Sequence, residues 1–110
     1  MVLREGRIPV RMTIGIQIDS DAVASFCRRH HVRRLSLFGS VLRADFGPSS
    51  DVDVLVEFEP GRTPGLAFMR MQTELSDILG RTVDLQTPGS LSHYFRDAVV
   101  NEAEPLYVAA

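Results

Sequence analysis

The chain has 110 residues, a formal net charge of -2 and a hydrophobic fraction of 45%, enough for one small domain with a real core. All 12 basic residues are arginine and lysine is absent, which excludes lysine-tipped phosphate loops and Schiff-base or pyridoxal chemistry. The slightly acidic balance argues against non-specific nucleic-acid binding, which needs a positive excess.

Residues 1–17 show no sustained pattern and are broken by Pro9 and Gly15. They read as an N-terminal extension, a tail or an added edge strand, ahead of a domain spanning 18–110. Their charged start lacks the apolar core of a signal peptide. No apolar run approaches the ~20 residues of a membrane span, so a cytoplasmic protein without membrane contact is expected. Asp19 or Ser20 offers a helix N-cap. Val23, Phe26, Cys27 and His30 follow at helical spacing. Cys27, the only cysteine, excludes an internal disulfide and reads as a small core residue. The basic block 28–34 has two readings. It is a solvated helix end whose cations suit the dipole, or a patch that docks a partner or contacts RNA. His30 reads as semi-buried, His31 and His93 as surface residues.

Leu35 and Leu37 alternate through a strand over 33–38, which Gly39-Ser40 ends sharply. Residues 41–46 predict a short helix, closed by Gly47 and Pro48. Residues 51–58 form the clearest strand. Val52, Val54, Val56 and Phe58 share one face, and Asp51, Asp53, Leu55 and Glu57 the other. A Pro/Gly-rich loop over 59–65 leads to a helix over 65–79 with Phe68, Met71, Leu75, Ile78 and Leu79 on its apolar stripe. Gly80 stops that helix, and residues 82–85 form a short strand. Ser90 or Ser92 caps a last helix with Leu91, Tyr94, Phe95, Ala98 and Val99 on one side. Pro105 ends it before a final edge strand over 106–108. Tyr94, Phe95 and Tyr107 belong to the core if buried and to a partner-facing patch if exposed.

Three acids stand where acids are disfavoured. Asp51 and Asp53 open an apolar strand, and Asp84 lies between Val83 and Leu85. Spacing of two puts Asp51 and Asp53 on one face, where like charges repel unless a cation lies between them. A divalent metal with hard oxygen ligands resolves that conflict, and Mg²⁺ is usual where phosphate is present. The 31 residues from Asp53 to Asp84 suffice for a crossover helix and a parallel neighbour strand. That arrangement sets both acids at one end of the sheet. Gly39-Ser40 reaches the same edge if the first two strands run antiparallel. Such a site is unlike a Rossmann site, which lies beyond the C-terminal strand ends. It suits phosphoryl or nucleotidyl transfer by two metal ions. Gly39 lets the backbone approach a phosphate, Ser40 hydrogen-bonds it, and Arg43 neutralises charge. Asp84 can accept the proton of an acceptor hydroxyl. Each signal alone has an ordinary reading: a simple turn, a solvated strand end, an Asp84–Arg81 ion pair, or Arg43 as a solvated helix residue. The case rests on their order and spacing together.

The stretch GSVLRADFGPSSDVDVLVEF has the form Gly-Ser, ten residues, Asp-X-Asp. In this it resembles the DNA polymerase β-like nucleotidyltransferases. With the later Val-Asp-Leu and the terminal Glu-Pro-Leu-Tyr, it is similar to the minimal nucleotidyltransferases of HEPN/MNT toxin–antitoxin pairs, from about residue 20 to 108. The resemblance implies an α/β (α+β) nucleotidyltransferase fold, a small mixed β-sheet flanked by helices. It implies ATP as substrate and two Mg²⁺ ions as cofactors. Gly39 and Ser40 would meet the phosphates, Asp51 and Asp53 the metals, and Asp84 would be the third carboxylate. It also implies an antitoxin that transfers AMP to a tyrosine of a HEPN-domain toxin, its expected partner. Two rivals stand beside that reading. One is an antitoxin that acts by binding alone, with a vestigial nucleotide site. The other is nucleotidyl transfer to a small molecule such as an aminoglycoside, by enzymes that usually carry an added helical domain.

Overall fold

The computed structural model describes residues 12, 13, 16–42, 47 and 49–109. Two short strands, β1 (Met12–Thr13) and β2 (Ile16–Gln17), pair antiparallel as a separate ribbon. The main unit follows as α1 (Ser20–Arg29), β3 (Val32–Phe38), β4 (Val52–Phe58), α2 (Ala67–Leu79), β5 (Val83–Gln86), α3 (Arg96–Glu102) and β6 (Glu104–Val108). The sheet order is β5-β4-β3-β6. β3 runs antiparallel to β4 and to β6, whereas β4 and β5 are parallel. This is the expected mixed sheet with helices. Among the described residues no helix is long and apolar enough to cross a membrane.

Local chemistry sets the element ends. Asp19 Oδ1 accepts the Ala22 N–H at 3.1 Å and caps α1. Gly80 adopts the left-handed conformation, φ 68°, and closes α2. Phe26 and Cys27 from α1, Met71, Leu75 and Leu79 from α2, and Val52, Val54 and Val56 from β4 share one core. Burial there pushes the Cys27 thiol far above its ordinary range, so it is an inert core residue. Tyr107 and Leu106 are adjacent in sequence yet both buried. Strict alternation would send them to opposite faces of the sheet, yet both join the one core cluster. The β3–β6 register slips between Leu35↔Tyr107 and Ser36↔Pro105, and this bulge turns both side chains inward. It also admits Pro105 into an edge strand.

Three expectations change. The chain after Phe38 makes a 3-10 turn over Gly39–Leu42; residues 43–46, assigned to a short helix, lie outside the described residues. The last helix starts at Arg96 rather than near 90. Thr87 and Ser90 form a reciprocal capping box around a 3-10 turn, Pro88–Ser90, and Leu91 is then extended. That turn uses the Ser90 cap locally. His31 is half-buried with φ 57°, and its carbonyl accepts the Glu59 N–H at 3.0 Å. His30 is half-buried as expected, against Phe26 with ring centroids 4.8 Å apart.

The basic block 28–34 is largely committed to local partners. Arg29 pairs with Glu74 of α2, and His30 Nε2 lies 2.9 Å from Glu74 Oε1. Arg33 and Arg34 both reach Glu57, at 3.2 and 3.8 Å. The hydrogen bond from Arg29 holds the Glu74 carboxyl below its ordinary value of 4.5. A depressed carboxylate stabilises the fold above its unfolded pKa, and that contribution fades as pH falls through the lower folded value. Wild-type protein should therefore lose thermal stability relative to Glu74→Gln as pH falls below about 4.5. The pair is exposed, so the difference should stay within about 1 kcal/mol; melting curves from pH 7 to pH 3 test this.

Candidate active site

The end of the sheet nearest the Gly39 turn gathers the chemistry. Phe38, the last residue of β3, is the register partner of Asp53. Asp53 in turn is the register partner of Asp84 in the parallel β5. The row Phe38–Asp53–Asp84 thus crosses three strands, with both carboxylates on the same face. The opposite side chains of β4, Val52 and Val54, enter the core. Apolar burial of one face therefore presents the acids on the other.

Gly39 follows Phe38 with φ 74°. A Cβ there would overlap the Asp53 carboxylate. Glycine is required twice, for the left-handed backbone and for close approach to the acid. Asp84 is exposed, and its Oδ1 accepts the Gln86 amide at 2.9 Å. A cavity of about 520 Å³ opens against this row, lined by Phe38, Gly39, Leu42, Asp53, Phe95, Val99 and Glu102. A shallower depression of about 280 Å³ adjoins it, sharing Phe38, Asp53 and Phe95 and reaching Asp84, Gln86 and Ser92. One wall is thus apolar and the floor is acidic, a usual make-up for a site that binds a mixed polar and aromatic ligand.

The remaining sequence candidates are placed less centrally. Ser40 follows Gly39 in the 3-10 turn and is half-buried, and Asp51 is exposed just ahead of β4. Neither lines the two cavities. Arg43 lies outside the described residues. Among the described residues no three Asp, Glu, His or Cys side chains converge as a ready ion cage. The donor set still fits a hard cation. It offers carboxylate oxygens of Asp53 and Asp84 side by side, with Asp51 two residues before Asp53. Sequence reasoning missed Gln86, Leu42, Glu102 and the role of Phe95 and Val99. Gln86 repeats the two-residue strand spacing from Asp84, which is a usable signal. Phe95 and Val99 fall on an apolar stripe by periodicity, but that stripe lines the cavity. Arg81 donates to the Gly47 and Ser50 carbonyls at 2.6 and 2.8 Å, a role that sequence does not indicate.

The nucleotidyltransferase domain family matches residues 20–106. The chain belongs to this family. It is a nucleotidyltransferase, and the mixed sheet described above is a nucleotidyltransferase fold. A Methanocaldococcus jannaschii relative, "Putative protein adenylyltransferase MJ0435", is 40% identical over 75 residues, 68% of this chain and 80% of its own length. A solved "putative minimal nucleotidyltransferase" is 41% identical with a TM-score of 0.65, over 78% of this chain and 87% of that one. The resemblance to minimal nucleotidyltransferases is therefore borne out. A crystal structure of a toxin–antitoxin with AMP-PNP shares the fold at 22% identity, with a TM-score of 0.66 over 83% of this chain and 74% of that one.

The contact between Gly39 and Asp53 gives this nucleotidyltransferase a test with an internal control. Gly61 also has positive φ, 77°, but nothing lies within 4 Å of where its Cβ would sit. Gly39→Ala and Gly61→Ala should each cost about 1–2 kcal/mol of stability from backbone strain. Only Gly39→Ala should also impair nucleotide transfer, because only it displaces the Asp53 carboxylate. Calorimetry and a transfer assay on both variants check the split.

Proposed function

We propose that the protein is a Mg²⁺-dependent adenylyltransferase that moves AMP from ATP to a hydroxyl, a tyrosine of a HEPN-domain toxin, and so acts as its antitoxin. The observation that carries this reading is the side-by-side register of Asp53 and Asp84 with the Gly39 backbone against Asp53. The toxin–antitoxin partnership is supported by the likeness to a structure of such a pair with AMP-PNP, and the adenylyl donor by the name of the jannaschii relative.

The cavity suits an adenine nucleotide. The base lies against Phe95 and Val99, an aromatic and an aliphatic surface. Gly39 and Ser40 take the phosphate end, where backbone N–H groups can approach closely. Arg43, shortly after Ser40 in the chain, adds a guanidinium to the phosphates. The carboxylates Asp53, Asp84 and Glu102 around the two hollows make a poor host for a bare polyphosphate. Asp51, Asp53 and Asp84 would hold a divalent cation, which would remove that conflict and supply Lewis-acid polarisation of the phosphates. In the transfer the acceptor oxygen bonds to the α-phosphorus as the bond to the β-bridging oxygen breaks. Pyrophosphate leaves with that bonding pair, and the hydroxyl proton passes to Asp84. The Gln86 amide holds one Asp84 oxygen and so fixes the orientation of the base.

The direct experiment incubates the protein with the partner toxin, Mg²⁺ and ATP labelled at the α-phosphate. Label should appear on the toxin and vanish with Asp51→Ala or Asp53→Ala. No label on the toxin, or label indifferent to these changes, would overturn the proposed transfer to the toxin by this site. Asp84→Asn should cut the transfer rate by about 10²–10⁴-fold, the usual worth of a general base, and barely change ATP binding. Equal losses in both would make Asp84 a metal ligand only.

A further inference from the structure

We infer that Arg81 is a positioning residue for the transfer site, holding in place the loop that delivers Asp51. This rests on the proposed role of Asp51. Arg81 sits just after the left-handed Gly80 that ends α2, and its own N–H donates to Ser76 O at 3.3 Å. From that anchored backbone its Nη2 reaches back across the fold and donates to Gly47 O at 2.6 Å and Ser50 O at 2.8 Å. The loop is tied to itself as well. Ser50 N–H donates to Gly47 O at 3.0 Å, and Gly47 N–H donates to Ser50 Oγ at 3.1 Å. On the other side of Asp51, Val52 N–H donates to Thr82 O at 2.8 Å.

Asp51 is therefore flanked on both sides by main chain bound to the same short segment, Arg81-Thr82, while its own side chain is exposed. Thr82 is the last residue before β5, which carries Asp84. One dipeptide thus couples the placement of Asp51 to the strand of Asp84. Bonds from a guanidinium to carbonyls are charge-assisted and stronger than neutral ones. Without them the Gly47 and Ser50 carbonyls turn to water and the loop opens locally, while the β4–β5 pairing itself persists. The consequence falls on metal affinity, since residues that orient a ligand typically change it by about 10–100-fold.

The test uses the full chain and Mn²⁺ as the probe, titrated by electron paramagnetic resonance, with amide exchange and thermal melting on the same samples. Arg81→Ala should weaken Mn²⁺ binding roughly tenfold and speed exchange of the Ser50 and Val52 amides, with core amides still protected. Arg81→Lys, which keeps a cation and several donors, should recover most of the affinity. Arg81→Gln serves if the alanine variant does not fold. A folded Arg81 variant with unchanged Mn²⁺ affinity and loop exchange overturns the inference. So does uniform loss of protection across the core with no selective effect on the loop, which marks a purely structural residue. Wild type that binds no Mn²⁺, or binds it equally after Asp51→Ala, overturns the reading of Asp51 itself, a distinguishable result.

Discussion

Parallel pairing between β4 and β5 is the constraint on which the rest of the structure depends. Parallel neighbours cannot be joined by a tight turn, so the chain must leave the sheet and return through a crossover helix. α2 is that helix, and it does more than span the distance. Among the described residues β5 is an edge strand, and no further strand takes its outward N–H groups. Ser76 Oγ accepts the Val83 N–H at 3.0 Å, and Gln72 Oε1 accepts the Leu85 N–H at 2.9 Å. Two polar side chains of α2 thus finish the edge and fix its height relative to β4, while Met71, Leu75 and Leu79 of the same helix pack in the core. The register that places Asp84 beside Asp53 follows from both sets of contacts.

The two faces of this sheet are unequal for a physical reason. One is covered by α1 and α2 and is apolar throughout. On the other, Leu55 and Ser36 are buried while Asp53 and Glu57 remain half-buried. That second face is finished by short pieces: the capping-box turn at Pro88–Ser90, the extended Leu91, and the seven-residue α3. Short pieces cannot cover the sheet as two long helices do. The space they leave is the cavity between Phe38, Asp53 and Phe95. A continuous last helix from Ser90, as periodicity suggests, would replace the turn that borders the shallower hollow.

Much of this is legible in the amino-acid sequence. The alternation Val52-Val54-Val56 against Asp53-Leu55-Glu57 marks both the strand and the face that carries the acids. The 31-residue step from Asp53 to Asp84 points to a parallel crossover. The illegible parts share a cause: each depends on contacts between distant residues. Arg81 bonds residues 31 and 34 positions away, so no local pattern reveals it, and the nearest local alternative is an ion pair with Asp84. The bulge that buries both Leu106 and Tyr107 is set by the partner strand. The Thr87 capping box encloses only a single 3-10 turn, too short for helical periodicity to mark it.

Charge links the scaffold to the site. With lysine absent, every fixed side-chain cation is a guanidinium, and the structure commits many of them to scaffolding. Arg29 joins α1 to α2, Arg33 and Arg34 share Glu57, Arg81 holds the loop before Asp51, and Arg96 donates to Leu91 O at 3.0 Å. The planar fork suits this work, since it can serve several acceptors from one side chain. The described residues around the two hollows contribute carboxylates and no guanidinium. On the proposed reading, charge neutralisation of a triphosphate then falls to the metal ions, to backbone N–H groups of the Gly39 turn and to Arg43.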